Sequence, residues 1–112
     1  MTAKNHESKL YRWFWRNLRN EAADIAKHGA ASGFPKITYY RDTVKIYNRF
    51  EDEIWEMAEQ DAEDCGCKSV LEFFASLQGA HHADSPHTFK NLLVWYACEK
   101  IAHEITENQY EG

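Results

Sequence analysis

The side chains best equipped for chemistry in this sequence are Cys65 and Cys67, separated by Gly66, and the group His81, His82, Asp84 and His87 further along. Thiolates and imidazoles are the ligands zinc prefers, and the two groups flank one short apolar segment, so convergence on a metal is one reading, that of a small zinc-binding protein. Against it, a C-x-C pair is tighter than the usual zinc spacing, and histidines set among Gly, Ala, Asp and Ser have the composition of an ordinary polar loop. No metal and no cofactor is therefore assigned. Cys98 sits inside an apolar stretch and reads as a small buried hydrophobe. His28 and His103 stand alone on their helices. There is no H-E-x-x-H, no glycine-rich loop after a strand and no nucleophile elbow, so no enzyme is expected.

Charge supplies the other candidates. From Glu51 to Asp64 the chain carries Glu51, Asp52, Glu53, Glu56, Glu59, Asp61, Glu63 and Asp64 with no basic residue among them. Such a run can imitate a phosphate track, although charge runs are ordinarily solvated faces. General acid and base work needs two carboxylates in unlike environments, and nothing in the sequence singles out two of these. Residues 4–19 are the opposite: Lys4, Lys9, Arg12, Arg16 and Arg19 against Glu7 alone.

The basic stretch contains "YRWFWRNLRN", Tyr11 to Asn20. On a helix with Tyr11, Phe14, Trp15 and Leu18 inward, Lys9, Arg12, Arg16 and Arg19 share one flank, since residues three and four apart are neighbours. Trp13 is then left outside, among Asn17, Asn20 and Asp24. Trp and Arg are the residues enriched at protein-binding hot spots, and an exposed ring beside cations also suits stacked bases. The net charge of −5 weighs against nucleic acid. The plainer alternative pairs the stripe with the acidic helix of the same molecule. The candidate partner-binding residues are thus Arg12, Trp13, Arg16 and Arg19 on the basic side, and Asp52, Glu53, Glu56, Glu59 and Glu63 on the acidic side.

The elements that must carry these side chains follow from length and periodicity. A chain of 112 residues suits one domain and hides roughly two-thirds of its extended surface on folding. Its 44% apolar content can fill one core without disulfides. The apolar period is helical nearly throughout, which predicts an all-α compact bundle of about four helices around a central C-terminal helix. The first helix starts between Asn5 and Ser8 and ends near His28, with Gly29 in the left-handed closing position and Tyr11, Phe14, Trp15, Leu18, Ala22 and Ile25 inward. The stretch "GAASGFPKITYY" then reads as an ordered aromatic connector, because Gly33 and Pro35 forbid a continuing helix. Its Phe34 to Tyr40 portion is a candidate self-association patch, weighed against packing over its own core.

A second helix begins between Thr38 and Asp42 and runs to Asp64, bending near Asn48, with Val44, Tyr47, Ile54, Trp55, Ala58 and Ala62 inward. Gly66 stops it. Ser69 and Glu72 have capping-box spacing ahead of a short helix bearing Val70, Leu71, Phe73, Phe74 and Leu77. Ser85 and Pro86 suit the start of a last helix reaching about Glu107. Its "LLVWYAC" run, Leu92 to Cys98, is apolar all round, which requires neighbours on both sides. That run is also far short of the roughly 20 residues a membrane span needs. An odd number of cysteines and no apolar signal segment predict a reducing, cytoplasmic setting.

Two stretches, "GFPKITYYRDTVKIYNRFEDEIWEM" from Gly33 to Met57 and "FKNLLVWYACEKIA" from Phe89 to Ala102, with the lead-in "HGAASGFP", resemble a group of small acidic proteins of bacteriophage, prophage and plasmid genomes that have no assigned function. The resemblance rests on aromatic and apolar positions, so it carries over no active-site residue. It implies an accessory protein that binds a host or phage protein, such as an inhibitor of a host defence system acting against CRISPR or restriction. The expectation is a non-enzymatic protein-binding protein, with a nucleic-acid module built on the first helix as the alternative.

Overall fold

The computed structural model describes residues 8–30, 34–77 and 89–111. All regular structure among them is helical: α1 (Lys9–Leu18), a 3₁₀ turn (Arg19–Glu21), α2 (Ala22–His28), α3 (Pro35–Thr38), α4 (Tyr40–Asp64), α5 (Val70–Leu77) and α6 (Phe89–Glu111). The fold is all-α, with the C-terminal helix α6 packed against α4 and α2. Ser85, Pro86, His81, His82, Asp84 and His87 lie outside the described residues. No helix among the described residues is long and apolar enough to cross a membrane.

The centre of the fold is the segment expected to be sheathed. Leu93, Val94, Ala97 and Cys98 are fully buried and Trp95 nearly so, with only Leu92 and Tyr96 partly open. Full burial of such a side chain stabilises by about 1.5–3 kcal/mol, so this segment anchors whatever packs on it. Trp95 also ties the connector down: its indole N–H donates to the Ile37 carbonyl. From Phe34 on, that connector forms the helical turn α3, with Pro35 at its first position and Ile37 fully buried. Pro is suited there because the first turn needs no N–H from it.

The first helix is not continuous to His28. It starts at the Ser8 cap, whose Oγ accepts from the Tyr11 amide at 3.1 Å, and breaks at Leu18 (φ −136°, ψ 8°) before resuming as α2. The 3₁₀ turn holds no buried residue, so no core contact enforces an α register across it. Helix α4 bends near Asn48 as expected, the non-helical residue being Phe50 (φ −122°, ψ 21°). It closes with paired bonds from Gly66 N to the Glu63 carbonyl (3.0 Å) and from Cys67 N to the Ala62 carbonyl (2.8 Å), with Gly66 at φ +77°; this is the Schellman arrangement. Ser69 Oγ caps α5 by accepting from the Glu72 amide at 3.1 Å. Of the apolar residues this helix bears, Val70, Phe73 and Phe74 are buried, while Leu71 is 68% exposed.

Gly29 ends α2 with φ 91° and ψ 163°, positive in φ as expected but extended in ψ, a region only glycine occupies comfortably. Beyond it the Ala30 amide donates to Glu99 Oε1 of α6 at 2.8 Å, and a Cβ added at Gly29 would stand 3.2 Å from that same oxygen. Gly66 has open space around it. Gly29→Ala is therefore expected to destabilise by about 1–3 kcal/mol, and by more than Gly66→Ala, in urea unfolding monitored by circular dichroism.

Candidate functional site

The acidic half of α4 divides into inward and outward members. Glu53 turns to the start of α1, where its Oε2 accepts from the Lys9 amide and its Oε1 from the Leu10 amide, each at 3.2 Å; Ser8 Oγ donates to it as well. The first amides of a helix have no partner within it and carry the positive end of its dipole, so a carboxylate is the natural cap. Asp61 is likewise occupied: the Tyr96 hydroxyl donates to it, and Lys100 Nζ lies 2.9 Å from its Oδ2. Burial, and then the bond to Asp61, push the Tyr96 hydroxyl well above the usual tyrosine range. Asp52, Glu56, Glu59 and Glu63 are exposed and form the outer acidic face.

On α1 the two tryptophans exchange the places expected of them. Trp15, expected inward, is 44% exposed. Trp13, expected outside, is half-buried and packs on Phe50, ring centroids 6.1 Å apart. The inward set of α1 is Leu10, Tyr11, Phe14 and Leu18, and the row Leu10, Phe14, Leu18 at four-residue spacing sets its centre. Including Leu10 rotates the helix enough to bring Trp13 toward the core and swing Trp15 out; the row is visible in the sequence, but its burial is what makes it the inward one.

The result is a basic face with an aromatic ring at each edge. At one edge Trp15, Arg12 and Arg16 border a shallow concavity of about 450 Å³ with Tyr11 at its inner side. The Arg19 guanidinium lies 5.7 Å from the Trp15 ring centroid, and its Nη1 donates to the Trp15 carbonyl at 3.1 Å. At the other edge Trp13 and Phe50 meet Lys36, Lys45 and Arg49, with Asp42 as the one acid, around a smaller hollow of about 190 Å³. Lys36 Nζ donates to Asn17 Oδ1 at 2.7 Å, joining α3 to α1. Lys45 and Arg49 escaped the sequence reading because only the fold brings α4 beside Trp13. Among the described residues no salt bridge ties Arg12, Arg16 or Arg19 to a carboxylate. The acidic helix holds α1 through backbone amides and leaves these guanidinium groups outside. Tyr11 titrates high because of its burial and then the Glu104 carboxylate.

The cysteines are placed less favourably for a metal. Cys65 is exposed, Cys67 half-buried and Cys98 buried. The Cys67 thiol is raised by desolvation, then by Glu72 and by Cys65, and burial pushes Cys98 up to about 12; both shifts disfavour the thiolate a metal needs. Among the described residues no three His, Cys, Asp or Glu side chains gather closely enough to hold an ion, and the histidine half of the sequence-based set lies outside them.

Residues 4–111 match a family described as a domain of unknown function, DUF7222. Neither a curated protein nor a solved structure matches the chain.

The division of the acids is open to measurement. Glu53→Ala removes a charged cap and is expected to cost about 1–3 kcal/mol in chemical unfolding, whereas Glu59→Ala should stay within about 0.5 kcal/mol of the parent. Tyr96 yields a pH dependence. Its folded-state proton is held more tightly than in the unfolded chain, where it leaves near the ordinary value of 10.0. The stability it contributes is thus complete below pH 10 and is lost as pH rises above it. Tyr96→Phe should flatten the alkaline limb of a stability-against-pH curve relative to the parent.

Proposed function

As the chain belongs to the DUF7222 family, a membership that names no activity, we propose from its surface that it is a non-enzymatic binding protein recognising a partner through the Arg12, Trp15, Arg16 and Arg19 face of α1. One observation carries this reading. A large indole stands 44% exposed, stacked by Arg19, among guanidinium groups that no carboxylate of the described residues pairs with. The Trp15 ring and the Arg19 guanidinium, already held together, lose little freedom on binding, and Trp with Arg is the composition of interface hot spots. The other candidate surface, Asp52, Glu56, Glu59 and Glu63, offers charge without a comparable anchor on the same face.

The partner that fits the Trp15 face is a protein surface bearing carboxylates around an apolar pocket. The resemblance to phage, prophage and plasmid proteins supplies a setting: a host protein, with restriction and CRISPR machinery as the proposed targets of inhibition. A nucleic-acid partner is the second reading, favoured by the further cations Lys36, Lys45 and Arg49 beside Trp13. The overall charge of −5 opposes it, since the acidic half of α4 repels phosphate.

A photoreactive side chain at position 12 and another at exposed Gln60 of α4, used in a bacterial lysate, separate the readings. The expected result is a protein adduct from position 12, lost on adding Arg16→Glu. Adducts only from position 60, or only to nucleic acid, would contradict the proposal. Against the captured protein, Trp15→Ala is expected to weaken binding by about 30-fold, the scale of a 2 kcal/mol hot spot, with an unchanged unfolding midpoint. Trp13→Ala should instead lower the midpoint, because that ring packs on Phe50.

A further inference from the structure

At the carboxyl end of the acidic helix, α4, the turn that follows it and the start of α5 line an open groove of about 660 Å³. Trp55, Ala62, Cys67 and Leu71 supply its apolar part, and Glu59 and Glu63 supply carboxylates. Leu71 is 68% exposed, more than Trp15, Tyr39 or Tyr40. The Trp55 indole N–H is already satisfied by the Tyr47 hydroxyl at 2.8 Å, so this ring asks for no polar partner in the groove. Glu59 and Glu63 are exposed and one helical turn apart, hence neighbours on one face. Lys68 is the only cation in the lining.

These properties are the complement of the α1 face. That face offers Trp15 as an apolar knob, with Arg12 and Arg16 also one helical turn apart. Two helices laid side by side can match both rungs of charge, Arg12 and Arg16 against Glu59 and Glu63, while the indole enters the space bordered by Leu71 and Trp55. We infer that a second copy of this chain docks its Trp15 face into the α4–α5 groove. The inference rests on reading that face as a recognition surface, and it adds a specific occupant for a groove no other part of the described structure fills.

The contact joins two different surfaces, so a pair held by one such contact keeps one free face and one free groove between its two copies; it either closes into a ring or continues as a chain. Being built on exposed charges, it weakens with salt. It also sets self-association against capture of an outside partner, because both use Trp15.

Sedimentation velocity over a concentration series, at low salt and at roughly 0.5 M salt where the screening length is only a few ångströms, tests this. The parent chain is expected to sediment above its 13.1 kDa monomer mass at low salt and high concentration, and as monomer at high salt. Arg16→Glu, which spoils the face, and Glu63→Arg, which spoils the groove, should each weaken association at least about tenfold while retaining the helical circular dichroism of the parent. Mixed in equal amounts the two variants should associate again, since each supplies the surface the other lacks. A parent that stays monomeric at low salt, or variants that associate no better mixed than apart, would overturn the inference. A monomeric chain that still forms the position-12 protein adduct would leave the proposed function standing, so the two failures are distinguishable.

Discussion

The contact on which the surface chemistry depends is the carboxylate of Glu53 at the amino end of α1. Helix α1 meets α4 and α6 along limited stretches, so it needs a fastening beyond apolar packing. A carboxylate received by backbone amides provides one, and it draws on the positive end of the helix dipole instead of on a side-chain cation. The acidic helix thereby holds the basic one without neutralising its arginines. Had Arg12 or Arg16 formed the attachment, the exposed face of α1 would have been much poorer in charge.

A second constraint is the disposal of aromatic rings. Trp55 donates to Tyr47, Trp95 to the Ile37 carbonyl, and Tyr96 to Asp61, so these buried or half-buried rings have their polar atoms satisfied as low-dielectric surroundings demand. Phe73, Phe74 and Tyr96 pack edge to face, closing α5 onto α6. Trp15 stands apart from this economy, its ring half outside and held by Arg19. Exposed Trp15 and Leu71 lie on surfaces of opposite charge, and that pairing gives the molecule its proposed self-complementarity.

Much of the scaffold was legible in the residues. The apolar run Leu92 to Cys98 announced a sheathed helix, Gly66 announced the end of α4, and Ser69 announced the cap of α5; each signal is local, depending on residues within one or two turns. The misread positions share a different character. The break after Leu18 falls in a turn that holds no buried residue, so no apolar period marks it. Trp13 and Trp15 have nearly equal apolar weight and sit 200° apart on an ideal helix, so choosing between them needs the direction of the core. Leu10 supplies that direction, but only once α4 and α6 are in place to bury it.

By itself the sequence determined the helical class, the central position of α6 and the electrical polarity of the chain, because periodicity, caps and charge runs are properties of contiguous residues. Only the tertiary structure decided that Glu53 caps a helix more than forty residues away, that Asp61 is occupied by Tyr96 and Lys100, and that Trp15 faces out. Two carboxylates of identical chemistry in one run become an internal fastening or a surface charge according to which neighbour the fold brings within hydrogen-bonding reach, and that distance is set by the packing of distant segments.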